Sequence, residues 1–120
     1  MAHKDSIELP SFDTGSYEGS ELHKVGRNAI LVVKVDGIGS LSYQFENARW
    51  FQFTQLNNCK VEWIKEAYFK IVEIYSSEKL AEFLAEDRSD NKSYGTLHHY
   101  RVFLDETGCY EFFSESAKAL

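Results

Sequence analysis

Cysteine and proline are scarce in this chain, which has two cysteines and one proline among its 120 residues. Two cysteines permit a single disulfide bridge, and Cys59 and Cys109 belong to no Cys-x-x-Cys or cysteine–histidine motif. This excludes a disulfide scaffold and a cysteine-based zinc site of the usual spacing. Because a chain of this length can bury a core without such staples, we expect both thiols to be free.

The chain also lacks a long hydrophobic run and a cluster of basic residues. Its longest aliphatic run, residues 29–33, is too short to span a membrane, and no secretory pattern is visible, so we expect a cytoplasmic protein. The 19 acidic and 13 basic residues give a net charge of −6, which opposes binding to nucleic acid. The acidic balance suits a basic protein partner, and a homodimer is compatible with it.

Alternating apolar residues predict most of the strands. Residues 29–36 are apolar on both faces, as in a central strand, and residues 41–46 alternate strictly, as in a half-buried strand. With a third strand at 49–56, the short turns favour an antiparallel meander. Residues 1–20 are rich in serine, glycine and acidic residues, and we expect them to form a loosely ordered lead to a single domain spanning 1–120.

The segment 60–75 fits two interpretations. Its apolar residues follow helical spacing, whereas the β-branched and aromatic residues near its end favour a strand. We interpret 60–66 as irregular or a short helical turn and 68–75 as a strand. A helix over 77–86 then begins with Ser77 as its N-cap.

The last quarter of the chain, residues 98–115, predicts a β-hairpin, with Gly108 in the left-handed conformation that its turn requires. We expect Asp105 to pair with Cys109. The apolar face of the hairpin then consists of Tyr100, Val102, Leu104, Tyr110, Phe112 and Ser114. The opposite face consists of His99, Arg101, Phe103, Glu111, Phe113 and Glu115.

This order of elements predicts the fold class α+β, with an antiparallel, curled β-sheet of about five or six strands packed against one main helix. The predicted core consists of Leu31, Val33, Leu41, Tyr43, Phe53, Leu80, Leu84, Val102, Leu104 and Phe112.

No catalytic or metal-binding motif stands out, and we expect no metal ion and no cofactor. His98 and His99 point to opposite faces of their predicted strand, so they cannot share a metal, and we expect His99 to pair with Glu115. A cysteine–histidine nucleophile could form in space from Cys59 or Cys109, but a structural thiol is favoured for both. The many carboxylates are expected to lie on the solvated surface, so catalytic residues stay undetermined.

The aromatic content indicates a binding surface instead. Trp50 is out of phase with Phe51 and Phe53, so either both faces of the sheet are covered or some aromatic area is exposed. An exposed aromatic patch beside acidic residues is typical of a partner or ligand site. The candidate binding residues are Trp50, Phe103, Glu111, Phe113 and Glu115.

In residues 71–80 a strand ends at a serine-capped helix, and after residues 99–105 the hairpin carries Gly-Cys-Tyr-Glu at 108–111. This second half resembles small bacterial α+β domains of unassigned function. The resemblance implies a bacterial accessory protein and assigns no catalytic residue. By analogy with small acidic α+β immunity proteins, we expect a non-enzymatic protein-interaction module, of which an immunity protein is one form. The alternative is a small-molecule-binding domain or a small enzyme with a pocket between sheet and helix.

Overall fold

The computed structural model describes residues 3–87 and 95–120, which form nine β-strands and two α-helices. The strands are β1 (His3–Glu8), β2 (Tyr17–Val25), β3 (Asn28–Val35), β4 (Gly39–Glu46), β5 (Trp50–Gln55), β6 (Lys70–Ile74), β7 (His98–Leu104), β8 (Gly108–Ser114) and β9 (Ser116–Ala119). The helices are α1 (Val61–Ala67) and α2 (Glu78–Glu86).

These strands form two antiparallel sheets, one of five strands in the order β1-β6-β7-β8-β5 and one of four in the order β2-β3-β4-β9. The predicted α+β class with antiparallel sheet is therefore confirmed. The expectation of one curled sheet with one main helix is corrected to two sheets and, in the described ranges, a second helix.

The two sheets pack face to face around one apolar core. Every second side chain of β3 is buried, because the side chains of a strand alternate between its two faces. Across the core Phe45 of β4 stacks on Phe112 of β8, with 3.8 Å between ring centroids. This contact joins the two sheets and fixes the inner face of β8.

Six residues of the predicted core are buried: Leu31, Val33, Tyr43, Val102, Leu104 and Phe112. Leu41 and Leu80 are half-buried. The prediction is wrong for Phe53, which is 42% exposed because β5 is an edge strand. It is also wrong for Leu84, which is 36% exposed, because α2 reaches the sheet through Phe83, whose ring lies 5.3 Å from that of Phe113.

Three consecutive strands do form an antiparallel meander, but they are β2, β3 and β4. The predicted third strand, β5, pairs with β8 in the other sheet. Asn47 turns the chain between the sheets with φ +48°, and its backbone N–H donates to Oδ1 of Asn28 at 2.9 Å. The stretch predicted as a loosely ordered lead contains β1 and the beginning of β2.

The ambiguous segment 60–75 contains both predicted elements, since α1 is followed by β6. The predicted α2 helix is confirmed, and the Ser77 hydroxyl caps it by accepting the Leu80 N–H at 3.0 Å.

The C-terminal hairpin is confirmed, but its register differs by two residues from the expected one. Arg101 pairs with Glu111 and Leu104 with Gly108. Because strand side chains alternate with a period of two, this shift leaves each side chain on its predicted face. Gly108 has φ +141°, and a Cβ there would collide with the Thr54 carbonyl of β5.

Gly108→Ala should therefore destabilise the protein more than Gly19→Ala. The two glycines have nearly equal φ angles, +141° and +139°, but a Cβ at Gly19 would meet nothing within 4 Å. Gly19→Ala should cost about 1–3 kcal/mol of unfolding free energy from backbone strain. Gly108→Ala should cost about 1–3 kcal/mol more, from the collision. Urea denaturation measures both, and equal costs would contradict the close approach of β5.

Candidate ligand-binding site

A groove of about 600 Å³ lies on the outer face of the five-stranded sheet, between α1 and the beginning of α2. Its floor consists of His99, Arg101 and Glu111 from β7 and β8. Trp63 of α1 lines one side, and Ser77, which precedes α2, lines the other. The volume falls within the range of small-molecule pockets, about 300–1,000 Å³.

The chain enters the groove through a strand–turn–helix connection. After β6, Ser76 has φ +52°, a left-handed conformation that is uncommon for a residue other than glycine. The following residue, Ser77, caps α2, so the turn sets its hydroxyl at the rim of the groove.

The floor of the groove is a buried cluster of ionisable side chains. Nε2 of His99 lies 2.8 Å from Oε1 of Glu111, and Nη2 of Arg101 donates to the same oxygen at 3.2 Å. The three side chains are between 1% and 6% exposed.

Glu111 is ionised in this cluster. Burial alone would raise the pKa of its carboxyl, but the hydrogen bond with His99 and the positive charges of Arg101 and Lys79 outweigh that effect. The pKa of Glu111 is therefore lowered below its usual value, and the carboxylate keeps its charge at neutral pH.

A hydrogen-bonded chain connects the floor to the rim. Oγ of Ser77 lies 2.7 Å from Nδ1 of His99, whose other ring nitrogen contacts Glu111. Serine, imidazole and carboxylate thus lie in series, the serine half-buried and the other two buried.

Cations and aromatic rings surround this chain. The guanidinium carbon of Arg101 lies 4.5 Å from the centre of the Trp63 ring, and Nζ of Lys60 lies 5.6 Å from the same ring. Nζ of Lys79 lies 5.0 Å from the ring of Trp50. The groove lining carries three basic side chains, Lys60, Lys79 and Arg101, against two acidic ones, Glu78 and Glu111, in a chain of net charge −6.

The buried cluster is not fully satisfied by hydrogen bonds. Nε and Nη1 of Arg101 and Oε2 of Glu111 have no hydrogen-bond partner among the residues that the structure describes. An unpaired buried polar group costs about 1–3 kcal/mol of folding free energy, so this arrangement destabilises the fold relative to apolar packing.

The predicted binding residues do not form one surface. Glu111 lies in the groove, and Trp50 stacks on Phe113 beside it with 4.3 Å between ring centroids. Phe103 and Phe113 are each 1% exposed, so the expectation of an open aromatic patch is wrong there. The reason is that α1 and α2 pack over that face.

Glu115 lies away from the groove. Its Oε2 accepts a hydrogen bond from Nδ2 of Asn47 at 2.6 Å, at the point where the chain passes from one sheet to the other. A binding role for the five residues stays a prediction.

The groove contains a side-chain contact, between His99 and Glu111, that was not predicted from the sequence. His99 contacts Glu111 and not the expected Glu115, because of the register shift in the hairpin. His98, on the other face, pairs with Glu73 at 2.6 Å. A signal was present in the sequence, since His99, Arg101 and Glu111 were placed on one face of the predicted hairpin.

Both cysteines are free thiols. They lie together in a second apolar cluster beneath α1, and burial, followed by the neighbouring Cys59 thiol, raises the pKa of Cys109. Its nucleophilic thiolate is therefore disfavoured. The Cys59 thiol donates to the carbonyls of Thr54 and Gln55, both at 3.4 Å, and among the described residues neither thiol is hydrogen-bonded to a histidine.

Comparison with known proteins finds no family model, no curated protein and no solved structure that matches the chain. No helix in the described ranges is long and apolar enough to cross a membrane. A functional assignment must therefore come from the groove and the exposed surfaces themselves.

Glu111→Gln should change the pH dependence of stability. Because the folded-state pKa of Glu111 is lowered from about 4.5, its stabilisation is present above that pH and is lost as the pH falls through the folded value. Unfolding free energy should therefore fall more steeply on acidification in the unsubstituted protein than in Glu111→Gln. At neutral pH the substitution should cost about 3–5 kcal/mol, because it leaves the Arg101 charge buried and uncompensated.

Denaturant titrations at several pH values measure both effects. The matched control is Glu21→Gln, which removes an exposed carboxylate paired with Lys34 at 2.7 Å and should leave stability nearly unchanged, because solvent screens that pair. Parallel acid profiles for Glu111→Gln and the unsubstituted protein would contradict the ionised cluster.

Proposed function

We propose that the chain is a small-molecule-binding domain whose groove binds a compact organic anion. The observation that carries this proposal is the state of Arg101. Its guanidinium is buried at the floor of the groove, yet two of its nitrogens have no partner within the described part of the chain. Guanidinium groups are well suited to carboxylate and phosphate, because they stay charged and present several donors.

A purely structural role accounts poorly for this cluster. Buried ion pairs add little stability, and apolar side chains of similar volume often serve as well or better. The same face of β7 and β8 carries the buried Phe103 and Phe113, so apolar packing is available there. Ionisable groups retained in such a place are typical of functional sites.

The rim of the groove supports the same conclusion. Lys60 and Lys79 add two positive charges against the single negative charge of Glu78 at the same rim, which leaves a net attraction of an anion toward Arg101. Ser77 adds a hydroxyl, and the first N–H groups of α2 face outward from the helix beginning. Trp63 covers the guanidinium, so an entering acid group must displace or stack on its indole.

Binding of succinate, acetate and inorganic phosphate provides the test. We expect at least one to bind in isothermal titration, to change tryptophan fluorescence and to shift the NMR signal of the Arg101 Nε–H group. Lys60→Ala and Lys79→Ala should each weaken binding about fivefold, the loss of roughly 1 kcal/mol of charge attraction.

Lys118→Ala is the matched control, since this lysine is exposed on β9 and should leave affinity unchanged. If none of the three anions binds, or if the two rim variants bind as well as the control, the groove is not an anion site.

A second function, a non-enzymatic protein-interaction module, is supported by the exposed aromatic residues of β5. Phe51 and Phe53 are 45% and 42% exposed on an edge strand. Such an edge can pair with a strand of another chain while its side chains anchor the contact. The net charge of −6 favours a basic partner, and an immunity protein is one form of this function.

The double substitution Phe51→Ser with Phe53→Ser should weaken such an interaction at least about tenfold, as the loss of aromatic anchors does. A basic protein captured at low salt on the immobilised chain is purified and titrated against both forms. Val25→Ser, on the 56% exposed Val25 of edge strand β2, is the control and should bind normally. A partner that binds the double variant equally well would exclude β5 as the interface.

A further inference from the structure

We propose that Ser77 is a catalytic nucleophile and that the groove hydrolyses esters of small organic acids. This inference rests on the proposed function, because the carboxylate that hydrolysis releases would occupy the anion site. Its own basis is the series Ser77, His99 and Glu111, with successive hydrogen-bond distances of 2.7 and 2.8 Å.

The hydrogen bonds around Ser77 suit transfer of its proton to the imidazole. Oγ of Ser77 accepts the N–H of Leu80 at 3.0 Å and lies 2.7 Å from Nδ1 of His99, whose Nε2 lies 2.8 Å from Glu111. In the proposed arrangement Nε2 of His99 carries the ring proton and faces Glu111, so Nδ1 accepts the proton of the Ser77 hydroxyl. A hydroxyl that donates to an imidazole oriented by a carboxylate is the arrangement that activates serine nucleophiles.

Glu111 acts in this scheme as a positioning residue. It is 1% exposed and ionised, so it fixes the His99 ring and stabilises the imidazolium that forms when the serine loses its proton. Arg101 holds the same carboxylate oxygen at 3.2 Å and restricts its movement.

The groove also offers groups that stabilise negative charge on a reacting carbonyl. The N–H groups of Glu78 and Lys79 begin the nine-residue helix α2 and have no partner inside the helix. They follow Ser77 directly, and the charge of Lys79 lies on the same side of the groove. The left-handed backbone of Ser76, in the turn that follows β6, fixes the position of the next residue, Ser77.

The reaction balances with water as the only co-reactant. Oγ of Ser77 bonds to the carbonyl carbon of the ester as its proton passes to Nδ1 of His99. The bond from that carbon to the ester oxygen breaks, and the leaving alcohol takes the proton from His99. Water then repeats both steps, which releases the acid and restores the Ser77 hydroxyl.

The test combines hydrolysis of p-nitrophenyl acetate with labelling by a fluorophosphonate, in which the serine oxygen bonds to phosphorus and fluoride leaves. We expect mass spectrometry to find the label on Ser77. Ser77→Asn should lower the rate of hydrolysis about 10²–10⁴-fold, the usual contribution of an activated group. Asparagine is a good N-cap, so this variant keeps the beginning of α2 folded.

Ser11→Ala replaces an exposed serine outside the groove and should keep full activity. Titration with succinate separates the two proposals. If the unsubstituted protein binds succinate, Ser77→Asn hydrolyses the ester as fast as the unsubstituted protein, and Ser77 is not labelled, the nucleophile is refuted and the anion site stands. If Ser77 is labelled and required for hydrolysis while succinate does not bind, the nucleophile is supported and the anion site fails.

Discussion

Glu111 is ionised and almost completely buried, and the arrangement of the groove depends on how its charge is neutralised. His99 and Arg101 both contact one of its oxygens, which fixes the imidazole and the guanidinium side by side on the outer face of β7 and β8. The imidazole in turn positions Ser77 at the beginning of α2. Without those partners a buried carboxylate would lower the stability of the fold, so loss of one member of the cluster is expected to disrupt the others.

The hairpin of β7 and β8 supports this cluster because its two faces have different roles. Its inner face belongs to the core shared by the two sheets, where Phe112 stacks on Phe45. That packing fixes the backbone from which the outer side chains project. Polar groups on a rigid strand pair can be held in a defined geometry more closely than groups on a loop.

The sequence predicted the faces of this hairpin correctly because alternation survives a register error of two residues. The same error moved the expected partner of His99 from Glu111 to Glu115. The division into two sheets was not predictable, since it depends on the turn at Asn47 and on pairing between β5 and β8. These contacts join segments that lie far apart in the chain, and local patterns do not encode them.

The groove was missed for a related reason. Ser77 was recognised only as a helix cap, although the same hydroxyl also reaches His99, 22 residues further along the chain. The aromatic residues of the hairpin were expected to be exposed because the packing of α1 and α2 on that face could not be inferred from helical spacing alone. The strands and helices were therefore predictable from local patterns. The contact between Ser77, His99 and Glu111 depends on tertiary packing and was not.

We infer that the buried cluster of His99, Arg101 and Glu111 is kept for binding and not for stability. Simultaneous replacement of its three members, His99→Leu with Arg101→Met and Glu111→Leu, tests this most directly when unfolding free energy and succinate affinity are measured on the same protein. The triple variant should have unchanged or higher stability, as found when buried ion clusters are exchanged for apolar residues, and should no longer bind succinate. A fall in stability of about 3–5 kcal/mol, the cost of breaking a buried pair, with succinate binding retained, would contradict it.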